Sequence, residues 1–424
     1  MKLTKGQLAI LRGEHGETKQ KMMETIVRFG DIFNAPRLVR VTHKKGHLVT
    51  SFGINLLKPL YKTMEEINAN NIKVEEGFTA DPRPIDYKNV KCNLLEKLIF
   101  SKIMYGKQSY YEEQLLKAGL IDKDAFTCTP YLKEVGNIPK EGDILSWAES
   151  SAVVYANSVL GARCNRNSGM IDLFGSILGY VPLFGLLTNE GRKATWRIIV
   201  KTSKLPEAQI LGSAIGMKVR EEVPYVIGLD KFLGDEINED VEGYLKDFGA
   251  ATASNGAVGL FHIDNLTPEA KRMGMTLIKQ EAQEYIIDDQ ELERVYKSYP
   301  VIWKKKDKPG NLVFIGCPHL TIKQVRDWSN KIIKGLEEIG HKKVVVRTIM
   351  TTSPYVLKIF KNEPLYEEII SRGVKITSIC PLMYTNNPLT KLRRILTNSN
   401  KLRTYSHAKY LKNEDILNFV IGRK

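Results

Sequence analysis

The last third of the chain alternates short apolar runs with amphipathic segments, and this alternation restricts its fold more than any other feature. The runs LVFIGCP, KKVVVRTI and VKITSICP are typical of buried strands, and the segments TIKQVRDWSNKIIKGLEEIG and PLYEEIISRG between them have helical spacing. This order predicts a parallel, doubly wound sheet with right-handed crossovers. We expect residues 301–424 to form this C-terminal α/β domain, with its boundary in the charged stretch near Tyr296–Gly310.

The chain before this domain also mixes helical and strand-like segments. Met1–Gly30 and Asn93–Lys117 carry apolar residues at helical spacing, and Arg197–Asp264 alternates β-like runs with glycine. We therefore predict an α/β protein throughout, with residues 1–300 forming an N-terminal α/β region.

The composition allows a large buried core and excludes several classes of protein. Hydrophobic residues make up 43% and charged residues 26% of the 424 residues, which is typical of a folded globular protein. The longest apolar stretches are interrupted by Asn, Asp or Gly, so a membrane span of about 20 uninterrupted apolar residues is not expected. The N-terminal sequence MKLTKGQLAILRGEHG is too polar for a secretory signal, and we expect a cytoplasmic protein.

The excess of positive charge indicates an anionic partner or a basic, solvated surface. The 63 Lys and Arg residues exceed the 48 Asp and Glu residues, giving a net charge of +15. Such a charge favours nucleic acid, an acidic lipid surface or a small anionic substrate. The short runs WKKKDK and HKKGH lack the interleaved aromatic residues of a single-strand binding groove, so nucleic acid is not the expected partner.

Five cysteines are spread along the chain, and their pattern excludes two common uses. They are Cys92, Cys128, Cys164, Cys317 and Cys380. An odd number without a secretory signal argues against a disulfide framework, and the absence of any CxxC pair excludes a local zinc ribbon or ferredoxin-type motif. A metal would have to be held by cysteines from distant segments.

Cys317 and Cys380 have matching positions in the predicted sheet. Each ends a predicted strand and is followed by a proline, and the carboxyl ends of parallel strands meet at one edge of a sheet. Pro318 would open the next helix, and helix N-termini behind both cysteines would lower the pKa of their thiols. Two alternatives stay open: both cysteines are small apolar core residues, or Cys317 acts as a nucleophile with His319.

Several motifs spread over the whole chain carry a family resemblance. They are GEHG…KQKMM, TCTPYL…GNIPKEGD…WAESSAVVYANSVLGARCNR, FIGCPHLT, SICP and TNSNK. Together they resemble the large, catalytic subunit of the aconitase X family, a branch of the aconitase superfamily, and the segment Trp147–Arg166 is the most specific. The resemblance implies an aconitase-like fold in which residues 1–300 form two intertwined domains. It also implies that the chain lacks the swivelling domain of aconitase.

The resemblance further implies a hydro-lyase with an iron–sulfur cluster of the [4Fe-4S] type, held by three cysteines. Such a cluster leaves one iron open as a Lewis acid for a carboxylate and a departing hydroxyl, while a nearby base removes a proton from the neighbouring carbon. Cys317 and Cys380 are the expected ligands. Cys128 and Cys164 compete for the third position, and Cys128 is preferred because the family more usually carries threonine where Cys164 stands.

The other candidate site residues come partly from the resemblance and partly from their chemistry. Ser150 and Ser151 lie at a predicted helix N-terminus, where their hydroxyls could help to bind an anion or could simply cap the helix. The expected catalytic residues are these two serines and His43, which would act as an acid/base group. The expected substrate-binding residues are Asn157, Arg163, Asn165, Arg166 and His319. Alternatives stay open for each: a solvated charge cluster for the Arg and Asn loop, a buried backbone partner for Asn157, polar surface for His43, and a role in orienting Cys317 for His319.

The resemblance implies one of two substrates and a protein partner. We expect cis-3-hydroxy-L-proline, because the segment NSGMIDLFGSILGYVP after Arg166 is more similar to that branch of the family, and mevalonate 5-phosphate is the alternative. Because the swivelling domain completes the aconitase site, a small subunit carrying it is the expected partner. From a different class, a nucleic-acid-binding protein with inert cysteines or a cluster-bearing regulator without hydratase activity stays open.

Overall fold

The structure is a computed structural model, and it describes residues 1–49, 58–90, 92–303, 308–386 and 389–423. Helices alternate with parallel strands in the middle and C-terminal regions, whereas the N-terminal region is mainly helical. The predicted α/β fold with a C-terminal doubly wound parallel sheet is confirmed. Among the described residues, no helix has the length and apolar character that crossing a bilayer requires.

The N-terminal region holds seven helices and two small two-stranded sheets within its described residues. Its helices are α1 (Lys5–Leu11), α2 (Glu17–Ile32), α3 (Lys58–Ala69), α4 (Leu94–Leu98), α5 (Gln108–Ala118), α6 (Ser150–Ser158) and α7 (Gly169–Leu178), with a π-helical turn at Ile99–Met104. Its strands are β1 (Leu38–Arg40), β2 (Gly46–Leu48), β3 (Phe78–Ala80) and β4 (Tyr180–Pro182). Strand β1 pairs antiparallel with β4, and β2 pairs parallel with β3.

The middle region is a four-stranded parallel sheet covered by helices, with the strand order β7-β6-β5-β8. Its strands are β5 (Ala194–Val200), β6 (Pro224–Ile227), β7 (His262–Ile263) and β8 (Ile278–Ile287). Its helices are α8 (Ala208–Val219), α9 (Asp230–Leu233), α10 (Glu239–Gly256), α11 (Pro268–Met273) and α12 (Asp289–Lys297). Helices α8 and α10 pack so closely that a Cβ on Gly212 would lie 2.4 Å from the carbonyl O of Phe248.

The C-terminal region is a five-stranded parallel sheet with the strand order β11-β10-β9-β12-β13. Its strands are β9 (Leu312–Leu320), β10 (Thr348–Thr352), β11 (Lys375–Thr377), β12 (Ile395–Thr397) and β13 (Lys409–Tyr410). Its helices are α13 (Ile322–Glu338), α14 (Pro354–Phe360), α15 (Pro364–Ser371), α16 (Pro381–Thr385), α17 (Asn400–Tyr405) and α18 (Asn413–Ile421). The order of connection reverses between β9 and β12, which makes a topological switch point there.

The two cysteine-bearing strands differ in detail from the prediction. Strand β9 does not stop before Pro318: it continues to Leu320, and Thr321 then caps α13 with a capping box. A helix beginning at Pro318 is therefore wrong. Strand β11 ends at Thr377, and Cys380 is the N-cap residue of α16, which begins at Pro381.

The predicted strand KKVVVRTI joins the sheet only from Thr348 onward. The backbone N–H groups of Val344 and Val345 donate instead to the carbonyl oxygens of Arg372 and Val420, outside the sheet. The expected boundary near Tyr296–Gly310 and the run WKKKDK fall partly on residues 304–307, which lie outside the described residues.

Candidate active site

A cavity of about 680 Å³ opens where β9 and β12 diverge at the carboxyl edge of the C-terminal sheet. Open α/β sheets bind their ligands at this place. The wall from the sheet comprises residues 316–319 of β9, the start of α16, and Lys401 after β12. The N-termini of α6 and α7 and the C-terminal end of α10 form further walls, so all three regions of the chain contribute.

A bulge in β9 carries Cys317 toward this cavity. The ladder between β9 and β10 is regular up to Ile315 and resumes at Leu320, so residues 316–319 stand opposite the single residue Thr351. Bulges re-aim side chains and are frequent next to active sites. The bulge therefore explains how a residue within the central, buried strand reaches the cavity.

Gly316 makes the bulge possible. Its φ angle is 102°, in the left-handed region that favours glycine. A Cβ at this position would lie 2.5 Å from the carbonyl O of Thr351. The hydroxyl of Thr351 donates to the carbonyl O of Gly316 and so supplies a hydrogen bond where the ladder is interrupted.

The structure brings three of the five cysteines to this cavity. Cys128, Cys317 and Cys380 line it, each from a different segment of the chain. Cys164 is fully buried and is not among the described residues that line the cavity. Its thiol donates to the carbonyl O of Trp147 at 3.2 Å. Of the two competitors for a third ligand, Cys128 is the one at the cavity.

Burial raises the pKa of all three cavity thiols, so the expectation that helix N-termini lower it is wrong. Burial is the largest cause for Cys128, Cys317 and Cys380 alike, and Lys401 opposes it without offsetting it. Cys380 does cap α16, but that helix has only 5 residues and a correspondingly weak dipole. A metal that binds these thiols therefore has to displace their protons.

The donor set at the cavity fits an iron–sulfur cluster, because cysteine thiolates are the usual ligands of such clusters and Cys128, Cys317 and Cys380 all line the cavity. Among the described residues, no group of three or more His, Cys, Asp or Glu side chains is arranged to hold one metal ion. The buried ammonium of Lys401 in the same wall would compensate the negative charge of thiolate ligands.

His319 links the segments that carry the three cysteines. Its backbone N–H donates to the Sγ of Cys128 at 3.3 Å. Its Nδ1 lies 3.1 Å from the hydroxyl of Thr127, and its Nε2 lies 3.2 Å from the carbonyl O of Ile379, which precedes Cys380. Burial lowers the pKa of His319 to about 4, so the ring is neutral and Nε2–H donates to Ile379. With both ring nitrogens engaged, His319 is placed to hold these segments rather than to bind substrate.

Lys401 and Glu149 form a buried ion pair in the cavity wall. The ammonium contacts the Glu149 carboxylate and donates to the hydroxyls of Ser151 at 2.6 Å and Ser150 at 3.4 Å. The two charged side chains are only 11% and 6% exposed. Burying a pair of charges is costly unless both groups are well hydrogen-bonded. Both groups of this pair are hydrogen-bonded.

The two charges hold each other ionised. Burial alone would raise the pKa of Glu149, but the charge and hydrogen bond of Lys401 lower it. Burial alone would lower the pKa of Lys401, but Glu149 and the thiols of Cys317 and Cys128 raise it. At neutral pH the cavity wall therefore carries an ammonium and a carboxylate side by side.

Glu149, not a serine, caps α6. Its carboxylate accepts a hydrogen bond from the backbone N–H of Ala152 at 2.6 Å, so an internal anion already occupies the helix N-terminus where Ser150 and Ser151 were expected to bind one. Ser150 lines the cavity, whereas Ser151 lies behind it with 1% of its surface exposed.

Three of the expected substrate-binding residues satisfy backbone groups instead. Arg163 donates to the carbonyl O of Leu187 at 3.0 Å and to the side chain of Asn189 at 2.7 Å. Asn165 donates to Phe184 at 3.0 Å and accepts the backbone N–H of Leu186 at 2.7 Å.

Asn157 behaves in the same way. It donates to the carbonyl oxygens of Cys164 at 2.9 Å and Gly259 at 2.8 Å, and it accepts the backbone N–H of Cys164. Arg163, Asn165 and Asn157 are not among the described residues that line the cavity. Their polar groups shape the protein rather than the site.

Arg166 is the residue of this loop that does line the cavity. It has a positive φ of 54°, unusual for a residue other than glycine. The next two backbone N–H groups, of Asn167 and Ser168, donate to the buried carboxylate of Asp172 at 2.9 and 3.2 Å. Burial raises the pKa of Asp172 to about 7. The turn that presents Arg166 is thus fixed from inside the protein.

His43 and His47 both lie outside the described lining of the cavity, and His47 is the one next to a lining residue. Outside the described lining of the cavity, His43 directs its Nε2 to the side-chain O of Asn137 at 2.7 Å. His47 is fully buried, and its Nε2 lies 4.0 Å from the carboxylate of Asp81, which does line the cavity. Burial lowers the pKa of His47 to about 4.

Four residues of this arrangement are absent from the sequence-based prediction: Asp81, His47, Glu149 and Lys401. A usable signal existed for Lys401, since TNSNK follows the short run RRIL just as GCPH follows LVFI. No comparable signal marks His47 or Asp81: His47 lies in a strand of 3 residues and Asp81 follows another, and neither strand appears as a long apolar run in the sequence.

Comparisons with known proteins agree along the whole chain. Family models described as the aconitase X first, second and third domains match residues 1–190, 194–297 and 310–416. The chain is 31% identical to the phosphomevalonate dehydratase large subunit of Thermococcus kodakarensis over 96% of this chain and 95% of that protein. It is 28% identical to the cis-3-hydroxy-L-proline dehydratase of Hypocrea jecorina over 96% of this chain and 65% of that protein.

A solved structure gives the same result. The crystal structure of Thermococcus kodakaraensis aconitase X in its holo-form superposes with a TM-score of 0.80 at 29% identity, covering 99% of this chain and 100% of that one. The matched relatives are named dehydratases, which are hydro-lyases. The fold, the three domain matches and the relatives agree, and the chain belongs to the aconitase X family.

Proposed function

We propose that this chain is the large subunit of a dehydratase that eliminates water from mevalonate 5-phosphate. The observation that carries this is similarity to five relatives named phosphomevalonate dehydratase large subunit: four are 28–31% identical over 96% of this chain, and one is 34% identical over 74% of it. Two relatives named cis-3-hydroxy-L-proline dehydratase are 28% and 26% identical. The relatives thus favour the alternative over cis-3-hydroxy-L-proline, the substrate expected from the sequence.

The cavity has the size and charge for such a substrate. Its volume of about 680 Å³ is within the usual range for small-molecule sites. Mevalonate 5-phosphate carries a carboxylate and a phosphate, and two cations, Lys401 and Arg166, line the cavity. The fork of a guanidinium suits either anion, and Lys401 offers a compact charge that Glu149 holds in place.

Cys128, Cys317 and Cys380 would hold the iron–sulfur cluster that the family resemblance implies. When bound, the cluster supplies an open iron as a Lewis acid for the substrate carboxylate and hydroxyl. His319 keeps the three cysteine segments in register through its contacts with Cys128, Thr127 and Ile379. The walls from α6, α7 and α10 would border the bound substrate.

A small subunit is the proposed partner. The relatives from Thermococcus kodakarensis and Methanocaldococcus jannaschii are named large subunits, which implies a second chain in those enzymes. We infer that the corresponding chain here completes the cavity and is needed for turnover.

The test is turnover by the anaerobically purified complex of this chain with its small subunit. Mevalonate 5-phosphate and cis-3-hydroxy-L-proline are offered separately, and the loss of substrate and the unsaturated product are followed by mass spectrometry. We expect dehydration of mevalonate 5-phosphate, with kcat/KM for it exceeding that for hydroxyproline by at least about 10³-fold, as for a site built to pair charges. Preferential dehydration of hydroxyproline would contradict the proposal, and so would a failure to dehydrate either compound.

A further inference from the structure

Helix α4 buries a charge and exposes its leucines, the reverse of an ordinary surface helix. Of its 5 residues, all of which the structure describes, Glu96 alone is buried. Leu94, Leu95 and Leu98 are between 52% and 87% exposed. At about 3.6 residues per turn these leucines share one face of the helix, and Glu96 lies on the other. Contiguous exposed apolar side chains mark a surface for another protein.

Polar contacts hold α4 in this orientation. The Nε and Nη2 atoms of Arg393 donate to the buried carboxylate of Glu96 at 3.0 and 2.8 Å. The same carboxylate accepts the backbone N–H of Asn93 at 2.9 Å, within a capping box at the start of the helix. Because turning the leucines inward would break this buried ion pair, which is costly, they stay on the outside of the folded chain.

Two further apolar side chains extend this exposed face. Ile103, in the π-helical turn after α4, and Leu392, the neighbour of Arg393, are each more than half exposed. The α4 patch, as we call it, comprises Leu94, Leu95, Leu98, Ile103 and Leu392. Removal of apolar surface from water is the main favourable contribution to most protein association, so a patch of this composition suits an interface between chains.

Helix α16 supports both the α4 patch and the cavity. Phe100, in the π-helical turn, packs its ring on that of Tyr384 in α16, with centroids 5.8 Å apart. Leu382 and Met383 of the same helix line the cavity. Asn386, directly after α16, lines the cavity and is exposed, so it lies at the cavity mouth.

The chain between this mouth and the α4 patch is short. The hydroxyl of Thr390 donates to the carbonyl O of Thr385 at 2.7 Å, and Thr390–Leu392 forms a 3-10 turn. Leu392, the last residue of this turn, belongs to the patch, and Arg393 follows it and binds α4. A single protein that covers the α4 patch can therefore also reach the mouth of the cavity.

Exposed lysines border the α4 patch. Lys97 belongs to α4, and Lys102 and Lys107 lie within and after the π-helical turn. The chain as a whole carries a net charge of +15. Complementary charges at the rim of an interface speed association and exclude wrong partners. The patch therefore suits a partner that presents apolar side chains surrounded by acidic ones.

We propose that the α4 patch is the docking surface for the small subunit. The inference rests on the proposed function, for which it names the surface that holds the partner beside the cavity. Relatives of this chain are named large subunits, which implies a second chain in those enzymes. The patch adjoins the mouth of the cavity that this second chain is inferred to complete. The ion pair of Glu96 with Arg393 presents the leucines to the small subunit, whose matching surface is apolar with an acidic rim.

The first test measures the affinity of the two separately purified subunits by calorimetry, without substrate. Leu94→Gln with Leu98→Gln retains good helix formers but removes two apolar side chains, so Kd should rise about 10²-fold. Ile32→Gln is the matched control: Ile32 is also exposed, but it lies in α2, which contributes no described residue to the cavity lining. The control should keep the wild-type Kd. A wild-type Kd in the double variant would overturn the proposal.

Turnover as a function of small-subunit concentration separates docking from damage to the chemistry. In the double variant, the concentration that gives half-maximal turnover should rise in step with Kd, and turnover should recover as the small subunit approaches saturation. Iron and acid-labile sulfide per chain serve as the check on folding. Turnover that stays low at saturation would overturn a role confined to docking.

The basic rim is tested by the rate of association. Lys97→Glu should slow association of the subunits about 10-fold at low salt, and the difference should shrink as salt screens the charges. Lys5→Glu, at an exposed position of α1, is the control and should associate at the wild-type rate. Equal association rates for the two variants would overturn the acidic rim assigned to the partner.

Two other occupants of the patch would give different results, and either would overturn the proposal. If a second copy of this chain covered it, the wild-type chain alone would sediment as a dimer and the double variant as a monomer. If residues 50–57 of the same chain covered it, the double variant alone would be less stable to urea, with Kd unchanged. A wild-type complex that forms with the expected Kd but dehydrates neither substrate would refute the proposed function and leave the docking surface supported.

Discussion

Two buried ion pairs in the described part of the chain stand in different settings, Lys401–Glu149 in the cavity wall and Arg192–Glu269 behind the loop that follows α6. Arg192 donates to Glu269 at 2.8 Å and also to the carbonyl oxygens of Leu186 at 3.1 Å and Asn157 at 2.9 Å. The guanidinium of Arg192 therefore donates its hydrogen bonds to groups within the protein. Lys401 and Glu149, by contrast, face a cavity together with cysteines that could hold a metal.

Residue type alone does not show which polar side chains belong to a ligand site. The loop of Arg163, Asn165 and Asn157 has the residue types of a carboxylate site, yet those side chains bind backbone groups within the protein. The edge of the C-terminal sheet has fewer such residues, and they meet at a cavity. The geometry of the fold, more than residue type, decides which polar groups are available to a ligand.

The largest expected effect separates cysteines of the cavity from one outside it. Cys317→Ser and Cys380→Ser should abolish dehydration by the complex with the small subunit, because each removes a proposed cluster ligand. Cys92→Ser is the matched control: the Cys92 thiol faces the carbonyl O of Val90 at 3.7 Å, and the variant should keep wild-type turnover. Full turnover by either cavity variant would show that the substituted cysteine is not required for dehydration.

Breaking each ion pair should lower stability similarly but affect chemistry differently. Lys401→Met removes the ammonium beside Glu149, and Arg192→Met leaves Glu269 with only the more distant Arg163 at 3.8 Å, so the free energy of unfolding should fall by about 3–5 kcal/mol in each. Removing both charges, as in Lys401→Met with Glu149→Gln, should recover most of that loss. Only the Lys401 variants should lose turnover per folded chain. The measurements are urea unfolding and steady-state kinetics, and equal loss of turnover in Arg192→Met would contradict the distinction.

Substitutions of the two arginines in the loop after α6 should also differ, one affecting substrate binding and the other affecting stability. Arg166→Ala removes a charged donor from the cavity, worth about 1.5–3 kcal/mol of binding, and KM should rise about 10- to 100-fold. Arg163→Ala loses two hydrogen bonds within the protein and should cost about 1–3 kcal/mol of stability with KM unchanged. A higher KM in Arg163→Ala than in Arg166→Ala would reverse the assignment.

The smallest expected effect is on how stability depends on pH, through His262 beside the Arg192–Glu269 pair. Burial lowers the pKa of His262 from 6.5 to about 4, and its Nε2 lies 2.8 Å from the carbonyl O of Arg192. Between those two pH values the unfolded chain binds a proton that the folded chain does not, so stability is full above pH 6.5 and falls as the pH is lowered toward 4. His262→Gln should make this loss shallower in urea unfolding, and an unchanged slope would show that His262 does not contribute.

Much of the C-terminal fold could be predicted from the sequence. Buried parallel strands appear as continuous apolar runs, which makes β9 visible as LVFI and β11 as VKIT. Their shared orientation brings Cys317 and Cys380 to one edge. Strand β12 gives a weaker signal, because its run RRILT has only two consecutive apolar residues after two arginines, so the switch point is not evident from the sequence.

The remaining differences arise from tertiary contacts that local patterns do not contain. The bulge after Ile315 depends on the hydroxyl of Thr351, which is on another strand. Arg163 and Asn165 find their partners, Leu187 and Phe184, among residues far along the chain. The pKa values of the cavity thiols follow from how deeply the whole protein buries them, and this outweighs the local helix ends.

The most direct test of a cluster at this cavity is the iron and acid-labile sulfide bound per chain, measured after anaerobic purification with the small subunit. Wild type is compared with Cys128→Ser and Cys164→Ser, which remove the two competitors for the third ligand. The structure predicts a cluster in the wild type and in Cys164→Ser, and its loss in Cys128→Ser. Absence of iron in the wild type even after reconstitution, or loss in Cys164→Ser alone, would contradict a cluster held by the three cysteines of this cavity.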